Sequence, residues 1–242
     1  MPHFYVNPKD IKDKNFIIED EQFHYLSNVR RFSIGDEINI FDGLGNSYKA
    51  RIDNIDKKSM KGTILSSKTL VLPDKKISLY TAIPKGERFD WLIEKASEIG
   101  VSKIVPVIYS RSVVKELSEN KIERYKKISI SASSQSWRAD IMSIENPIKF
   151  CETADKVCKE KNTLNMLPWE SEEEKNILSL LSENKDIKNI NIFIGPEGGF
   201  DKPEIDIALK NNFKTVTLGK NILRVETAAI VASSIVTSVY NV

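Results

Sequence analysis

Up to about residue 70, apolar positions come in short, closely spaced runs separated by turn residues. Phe16-Ile17-Ile18, Glu37–Phe41, Ser47–Ile55 and Lys61–Leu70 are predicted as strands. Glu21–Val29 reads as a helical turn, Ile34-Gly35-Asp36 as a tight turn, and Asp42-Gly43-Leu44-Gly45-Asn46 as a hairpin loop. Short strands at this spacing predict a small barrel, and residues 68–76 read as the linker beyond it. From Ile77 the period changes. Ile77–Ile83 reads as a strand, and Phe89, Leu92, Ile93, Ala96 and Ile99 share one face of a helix that Gly100 ends. Lys103–Ile108 completes a βαβ unit. Ile122, Tyr125, Ile128 and Ala132 mark a second helix with Lys121, Arg124, Lys126 and Lys127 on its other side. A helix around Glu152–Glu160, a strand Thr163–Leu167, the loop 168–175 and a short helix around Ile177–Leu181 continue the alternation, which predicts a parallel α/β domain.

Two later segments carry the candidate chemistry. In Ile192–Phe200 (IFIGPEGGF) an apolar strand stops at Gly195-Pro196-Glu197-Gly198-Gly199, where glycines leave the main chain bare for a flat ligand. In Val216–Ala229 (VTLGKNILRVETAA) the strand Val216–Leu218 turns at Gly219, and Ile222-Leu223-Arg224 lead into a helix over Val225–Val239. Glycine loops after successive strands are expected on one carboxyl edge of the sheet, where open α/β folds bind ligands. Neither has the spacing of a P-loop or a dinucleotide fingerprint, so a ligand without a polyphosphate is expected.

Composition narrows the class. The 242 residues hold no run of 18 apolar positions, and Met1-Pro2-His3-Phe4 does not open a signal peptide, so a cytoplasmic protein is expected. Two cysteines, Cys151 and Cys158, and two histidines, His3 and His24, are too few and too scattered for a zinc site; no metal and two reduced thiols are expected. The net charge of +2 divides into +1 over residues 1–72, +4 over 73–150 and −3 over 151–242. This permits a nucleic-acid partner without declaring one.

IGPEGGF, LGKNILRVETA, KGERFDWLIEKASEIGV and FDGLGN, in this order and spacing, closely resemble the ribosomal RNA small subunit methyltransferase E family of the SPOUT superfamily of knotted methyltransferases. The resemblance runs from His24 to Ala229. It implies a PUA-like RNA-binding barrel over residues 1–72 and an α/β methyltransferase domain with a deep trefoil knot over 73–242. It also implies S-adenosylmethionine as cofactor and N3-methylation of a uridine in the decoding region of 16S rRNA, within an assembled small subunit. The family's cofactor lining falls on Leu167, Pro168, Gly195, Pro196, Glu197, Gly198, Gly199, Leu218, Gly219, Ile222, Leu223 and Arg224; Leu218, Ile222 and Leu223 could equally be core.

For the transfer, Arg224 is the candidate cation beside the uracil, or else pairs with Glu226 or Glu197. Either glutamate could accept the imide proton or tie the loops together. Arg30, Arg31, Lys85, Arg88, Arg111 and Arg138 are the candidate phosphate contacts, and Trp137 either stacks on a base or packs. Here the chain departs from the family: Glu-Gln-Ser-Gly-Arg followed by a proline is usual, and Ser134-Gln135-Ser136-Trp137-Arg138 and Met142 stand instead. The last helix is small and apolar all round, through Ala228, Ala229, Ile230, Val231, Ala232, Ile235, Val236 and Val239. Either it is fully buried or a second copy covers it, and the resemblance implies a homodimer. A tRNA-modifying relative should lack the barrel sequence at Arg30–Tyr48, and a non-catalytic RNA-binding assembly factor would not need intact cofactor loops.

Overall fold

The computed structural model describes residues 3–240. The chain forms two compact units: one takes residues up to Leu72 together with Ser133–Ile141, the other Pro73–Ala132 and everything from Met142. The excursion 133–141 lies within the stretch that the sequence reading counts in the second domain.

In the first unit, β1 (His3–Tyr5), β2 (Ile11–Lys12), β3 (Asn15–Glu19), β4 (Glu37–Phe41), β5 (Asn46–Ile55) and β6 (Ser59–Thr69) make a six-stranded sheet in the order β1-β4-β5-β6-β3-β2. The short helix α1 (Asp20–His24) runs into a π-turn at Tyr25–Val29. Only β1 and β4 are parallel. Register shifts at Lys49/Ala50 and Ile52/Asn54 bend the long β5–β6 pair, and the curled sheet closes over Phe4, Phe16, Leu26, Ile38, Ile40, Ile52 and Met60.

The predicted hairpin loop is organised by one buried carboxylate. Asp42 Oδ1 accepts from the amides of Leu44 and Asn46, and Oδ2 from Asn46 Nδ2 and the Tyr48 hydroxyl. Gly45 N then donates to the Ala139 carbonyl at 3.0 Å, which draws 133–141 into this unit. Within that segment Trp137 adopts φ +61°, a conformation that costs a bulky L-residue on the order of 1–3 kcal/mol.

The second unit is a parallel sheet of β7 (Lys76–Thr81), β8 (Lys103–Ile108), β9 (Ser143–Ile144), β10 (Ile148–Lys149), β11 (Thr163–Pro168), β12 (Asn189–Ile194) and β13 (Lys214–Val216). Its order is β10-β8-β7-β12-β11-β13, with β9 on β8. The helices are α2 (Arg88–Ile99), α3 (Glu119–Gln135), α4 (Phe150–Val157), α5 (Ile177–Glu183), α6 (Lys202–Lys210) and α7 (Val225–Tyr240). As expected, α2 buries Phe89, Leu92, Ile93 and Ala96 and stops at Gly100, whose φ is +105°.

Some boundaries differ from the sequence reading. The last strand ends at Val216, not Leu218, because the Thr217 amide leaves the sheet for the Lys175 carbonyl. The linker shrinks to residues 70–75, since β6 extends to Thr69 and β7 opens at Lys76. α7 packs on α2, α5, β7 and β12, burying Val225, Ala229, Ala232 and Val236 completely or nearly so. Val231 and Val239 stay partly exposed, so the helix is neither wholly buried nor equally available on all sides.

Candidate active site

β11, β12 and β13 end at one edge of the parallel sheet, and the loops that follow them enclose a cleft of about 280 Å³. This is the carboxyl edge that the paired glycine loops predict. Pro168, Trp169 and Glu170 come from the first loop, Gly195–Phe200 from the second, and Thr217, Leu218, Gly219, Asn221, Ile222 and Leu223 from the third. Ile194, Val225 and Ala228 complete the wall.

Each loop is held from outside the cleft. In the glycine loop, the Gly199 amide donates to the Pro196 carbonyl at 2.9 Å, with Gly199 at φ +69°. Arg111 Nη1 donates to the Gly198 carbonyl at 2.8 Å, and Arg88 stands 4.0 Å from the Glu197 carboxylate. A β-carbon on Gly195 would come within 2.9 Å of the Phe200 ring, so the loop can lie this close only without a side chain there. Behind it, Asp201 and Glu204 form a capping box on α6, and Glu204 Oε1 also accepts from the Ser110 amide. Asp201 is held below the usual carboxylate range, first by the Ser110 hydroxyl and then by the Glu204 amide.

The other two loops are joined by Glu172. Its Oε2 accepts from the Thr215 hydroxyl at 2.6 Å and its Oε1 from the amides of Glu174 and Lys175. The Thr215 bond in particular holds this carboxyl below the ordinary range. Thr217 N to Lys175 O, at 2.8 Å, adds a main-chain link. The surface left to a ligand is mostly apolar side chain and main chain. Among the described residues no group of three His, Cys, Asp or Glu is placed to hold a metal ion, and no helix is long and apolar enough to cross a membrane.

Residues 72–237 match the RNA methyltransferase domain model, and residues 18–65 match the RNA methyltransferase PUA domain model. Ribosomal RNA small subunit methyltransferase E of Mesomycoplasma hyopneumoniae is 34% identical over 95% of this chain and 96% of its own. The Rickettsia conorii protein of the same name is 30% identical over 94% and 91%. The chain belongs to the ribosomal RNA small subunit methyltransferase E family. A crystal structure of the Neisseria gonorrhoeae member, bound to S-adenosyl methionine, superposes with a TM-score of 0.88 at 30% identity, covering 99% of this chain and 98% of that one. A Legionella pneumophila protein in complex with the bound cofactor SAM superposes with a TM-score of 0.80 at 26% identity, over 98% of this chain and 96% of that one.

Of the residues that resemblance to the methyltransferase E family suggests for the cofactor, Pro168, Gly195, Pro196, Glu197, Gly198, Gly199, Leu218, Gly219, Ile222 and Leu223 all line the cleft. Ile222, at 87% exposure, is no core residue. Leu167 is completely buried one position behind the wall, and Arg224 stands outside the lining. Arg224 is exposed and forms no ion pair among the described residues, while its carbonyl accepts from Ala228 N at the start of α7. Glu226 also lies off the wall, buried in the first turn of α7, with Oε2 lacking a hydrogen-bond partner. Sequence reasoning missed Trp169, Asn221 and the bracing acids Glu172, Asp201 and Glu204. Only the last two carried a signal, the D-K-P-E spacing of a capping box.

The candidate phosphate contacts divide between the units. Arg30 and Arg31 are exposed on the first, with Arg30 donating from Nε to the Tyr25 hydroxyl at 3.1 Å. Lys85, Arg88 and Arg111 are exposed on the second. Arg138 differs from the expectation: its side chain is 12% exposed, and Nε and Nη2 donate to Asp140 at 3.1 and 2.6 Å. That pairing ties Arg138 into segment 133–141.

Proposed function

We propose that this protein is an S-adenosylmethionine-dependent methyltransferase acting on N3 of a uridine in the decoding region of 16S rRNA, presented by the assembled small subunit. The observation that carries the reading is the glycine-walled cleft at three strand ends, in a chain 30% identical over 99% of its length to a family member bound to S-adenosyl methionine. The cleft fits that cofactor. Bare main chain at Gly195, Gly198 and Gly199 suits a flat adenine, the apolar wall of Leu218, Ile222 and Leu223 suits its ring and ribose, and there is no requirement for a phosphate cradle.

Bound there, S-adenosylmethionine supplies a methyl group already activated on its sulfonium. The chain's task is to hold the uridine in line and to help remove the N3 proton, whose pKa lies well above neutral pH. Arg224, exposed and without an ion pair among the described residues, is free to stabilise charge developing on O2 or O4. Glu197 and Glu226 are the candidate proton acceptors. Glu197 lines the cleft beside Arg88, whereas Glu226 holds a buried oxygen with no hydrogen-bond partner.

The first 72 residues act as the RNA-binding domain and 73–242 as the methyltransferase domain, with Arg30, Arg31, Lys85, Arg88 and Arg111 on phosphates. The second domain carries a trefoil knot. In support, the chain leaves the edge strand β13, passes beside loop 168–175 and returns to the middle of the sheet as α7, over β7 and β12. The enzyme is a cytoplasmic homodimer that needs no metal. Nucleoside mass spectrometry of 16S rRNA from cells lacking the protein tests the reaction: loss of N3-methyluridine, restored by the purified enzyme on small subunits, is expected. An unchanged modification profile refutes it.

A further inference from the structure

We propose that Trp137 is a stacking platform for an unpaired nucleobase of the RNA, an inference that rests on the reading of this chain as an RNA methyltransferase. Trp137 occupies a left-handed backbone position, φ +61°, where glycine is the natural occupant and a bulky aromatic ring is strained. Burial does not compensate, because the residue remains 53% exposed. A tryptophan retained for packing would hide its ring. Here His3 stacks on the ring, with centroids 5.3 Å apart and planes 19° from parallel, and about half of the residue still meets solvent.

His3 is a rigid support. It is 2% exposed, its Nε2 lies 3.2 Å from Ser47 Oγ, and its ring packs on Phe41 at 4.5 Å. Burial also keeps the imidazole below its ordinary range, so the stack is uncharged at neutral pH. Phe41 and Trp137 thus both pack on the His3 ring, and of the three only Trp137 is exposed.

The surroundings match RNA better than a protein partner. The register pairs His3 with Asn39, Asn39 with Lys49, and Lys49 with Ser66; it likewise pairs Tyr5 with Phe41, Phe41 with Ser47, and Ser47 with Lys68. Directly paired residues share a face, so these side chains stand on the side of the sheet away from the core of Phe4, Ile38 and Ile40. That side offers polar groups and two exposed lysines, not an apolar groove. Lys49 is paired with Glu37, whereas Lys68 has no ion pair among the described residues. With strands about 4.8 Å apart, Lys68 lies roughly 15 Å from His3, within reach of phosphates flanking a stacked base. An aromatic face with a nearby cation is the combination that binds single-stranded nucleic acid without reading its sequence.

The test measures binding to small ribosomal subunits purified from cells lacking the protein, beside binding of S-adenosylmethionine. Trp137→Gly removes the backbone strain and should fold; it should bind subunits about tenfold more weakly, while Trp137→Phe keeps most of the affinity. Cofactor affinity should be unchanged in both. With p-benzoylphenylalanine in place of Trp137, light should cross-link the chain to RNA. Equal subunit affinity for Trp137→Gly and the unaltered protein, equal losses for Gly and Phe, or cross-links only to a ribosomal protein would each overturn the proposal. A failure of cofactor binding in the unaltered protein would instead strike at the methyltransferase reading, so the two failures are distinguishable.

Discussion

Arg111 Nη1 donates to the carbonyl oxygen of Gly198 across 2.8 Å, so a side chain from the loop after β8 holds the loop that follows β12. The same arginine lies against the glycine, with Cβ and Cδ each 3.4 Å from where a Gly198 β-carbon would be. The bond is charge-assisted but solvent-exposed, which places its worth at about 1 kcal/mol. Arg111→Ala should therefore weaken S-adenosylmethionine binding by about fivefold in calorimetry. Arg30→Ala and Arg31→Ala, on the other unit, should leave it unchanged. Equal cofactor affinity in Arg111→Ala would return Arg111 to a purely RNA-facing role.

Gly198 itself gives a sharper outcome. A β-carbon there meets only ordinary contacts with Arg111, so Gly198→Val should fold. Its branched side chain would nevertheless extend against Arg111, crowd the guanidinium that holds the Gly198 carbonyl, and so misplace this wall of the cleft. Cofactor binding should be lost with the melting temperature little changed, and excess chelator should not alter binding to the unmodified protein. A variant that still binds, or chelator-sensitive binding, would contradict the proposed site.

How far the sequence could be read follows from what is local. Gly195, Gly198, Gly199 and Gly219 announce their turns through backbone chemistry, and Phe89, Leu92, Ile93 and Ala96 announce α2 through period; both kinds of feature stand where expected. Strand order is non-local. Nothing between Asn189 and Ile194 states that β12 inserts between β7 and β11, because that depends on pairing partners distant in the chain. The return of Ser133–Ile141 to the first unit depends on contacts such as Gly45 N to Ala139 O, between residues with no local signature. The pairing of Arg138 was no more legible: an arginine in a loop reads as a surface cation, and only the folded structure shows Asp140 engaging it.

For RNA, the charges that remain exposed are those to remove. The double variant Arg30→Gln with Arg31→Gln should weaken binding to small subunits and lower the slope of log affinity against log salt by roughly 1.4 to 1.8, as expected for two lost phosphate contacts. Arg138→Gln should act differently. It strands the Asp140 carboxylate, so it should destabilise the first unit and change the salt slope little. An unaltered slope in the Arg30/Arg31 variant would make both ordinary surface charges.

His3 sets a pH dependence. Burial lowers its pKa below the unfolded value of about 6.5, so the unfolded chain binds the proton more readily. Its neutral form stabilises the first unit fully above pH 6.5, and that stability declines as pH falls from there towards the folded pKa. His3→Phe retains an aromatic ring under Trp137 without a titrating group. Between pH 7 and 5 the unaltered protein should lose more stability than His3→Phe in urea titrations followed by tryptophan fluorescence. Parallel curves would show that His3 titrates alike in both states.

The homodimer proposal now has a better test site than the middle of the α7 core face. Ala232 is completely buried within its own chain, so Ala232→Glu would force a carboxylate into the sheet-facing side and unfold the protein whatever its oligomeric state. Val231 and Val239 are apolar but partly exposed; Val231 faces away from the buried set of Ala229, Ala232 and Val236, while Val239, seven residues on from Ala232, is exposed in the last turn of that same side. If a second copy covers them, a two-fold contact places each substitution in the interface twice. Val231→Glu should then fold and bind S-adenosylmethionine more weakly, yet run as a monomer in light scattering at micromolar concentration and lose most methylation of small subunits. Unmodified protein that is monomeric and fully active at that concentration would end the proposal. So would a Val231→Glu variant that remains dimeric, since two facing carboxylates cannot both be accommodated in a dry apolar contact without partners.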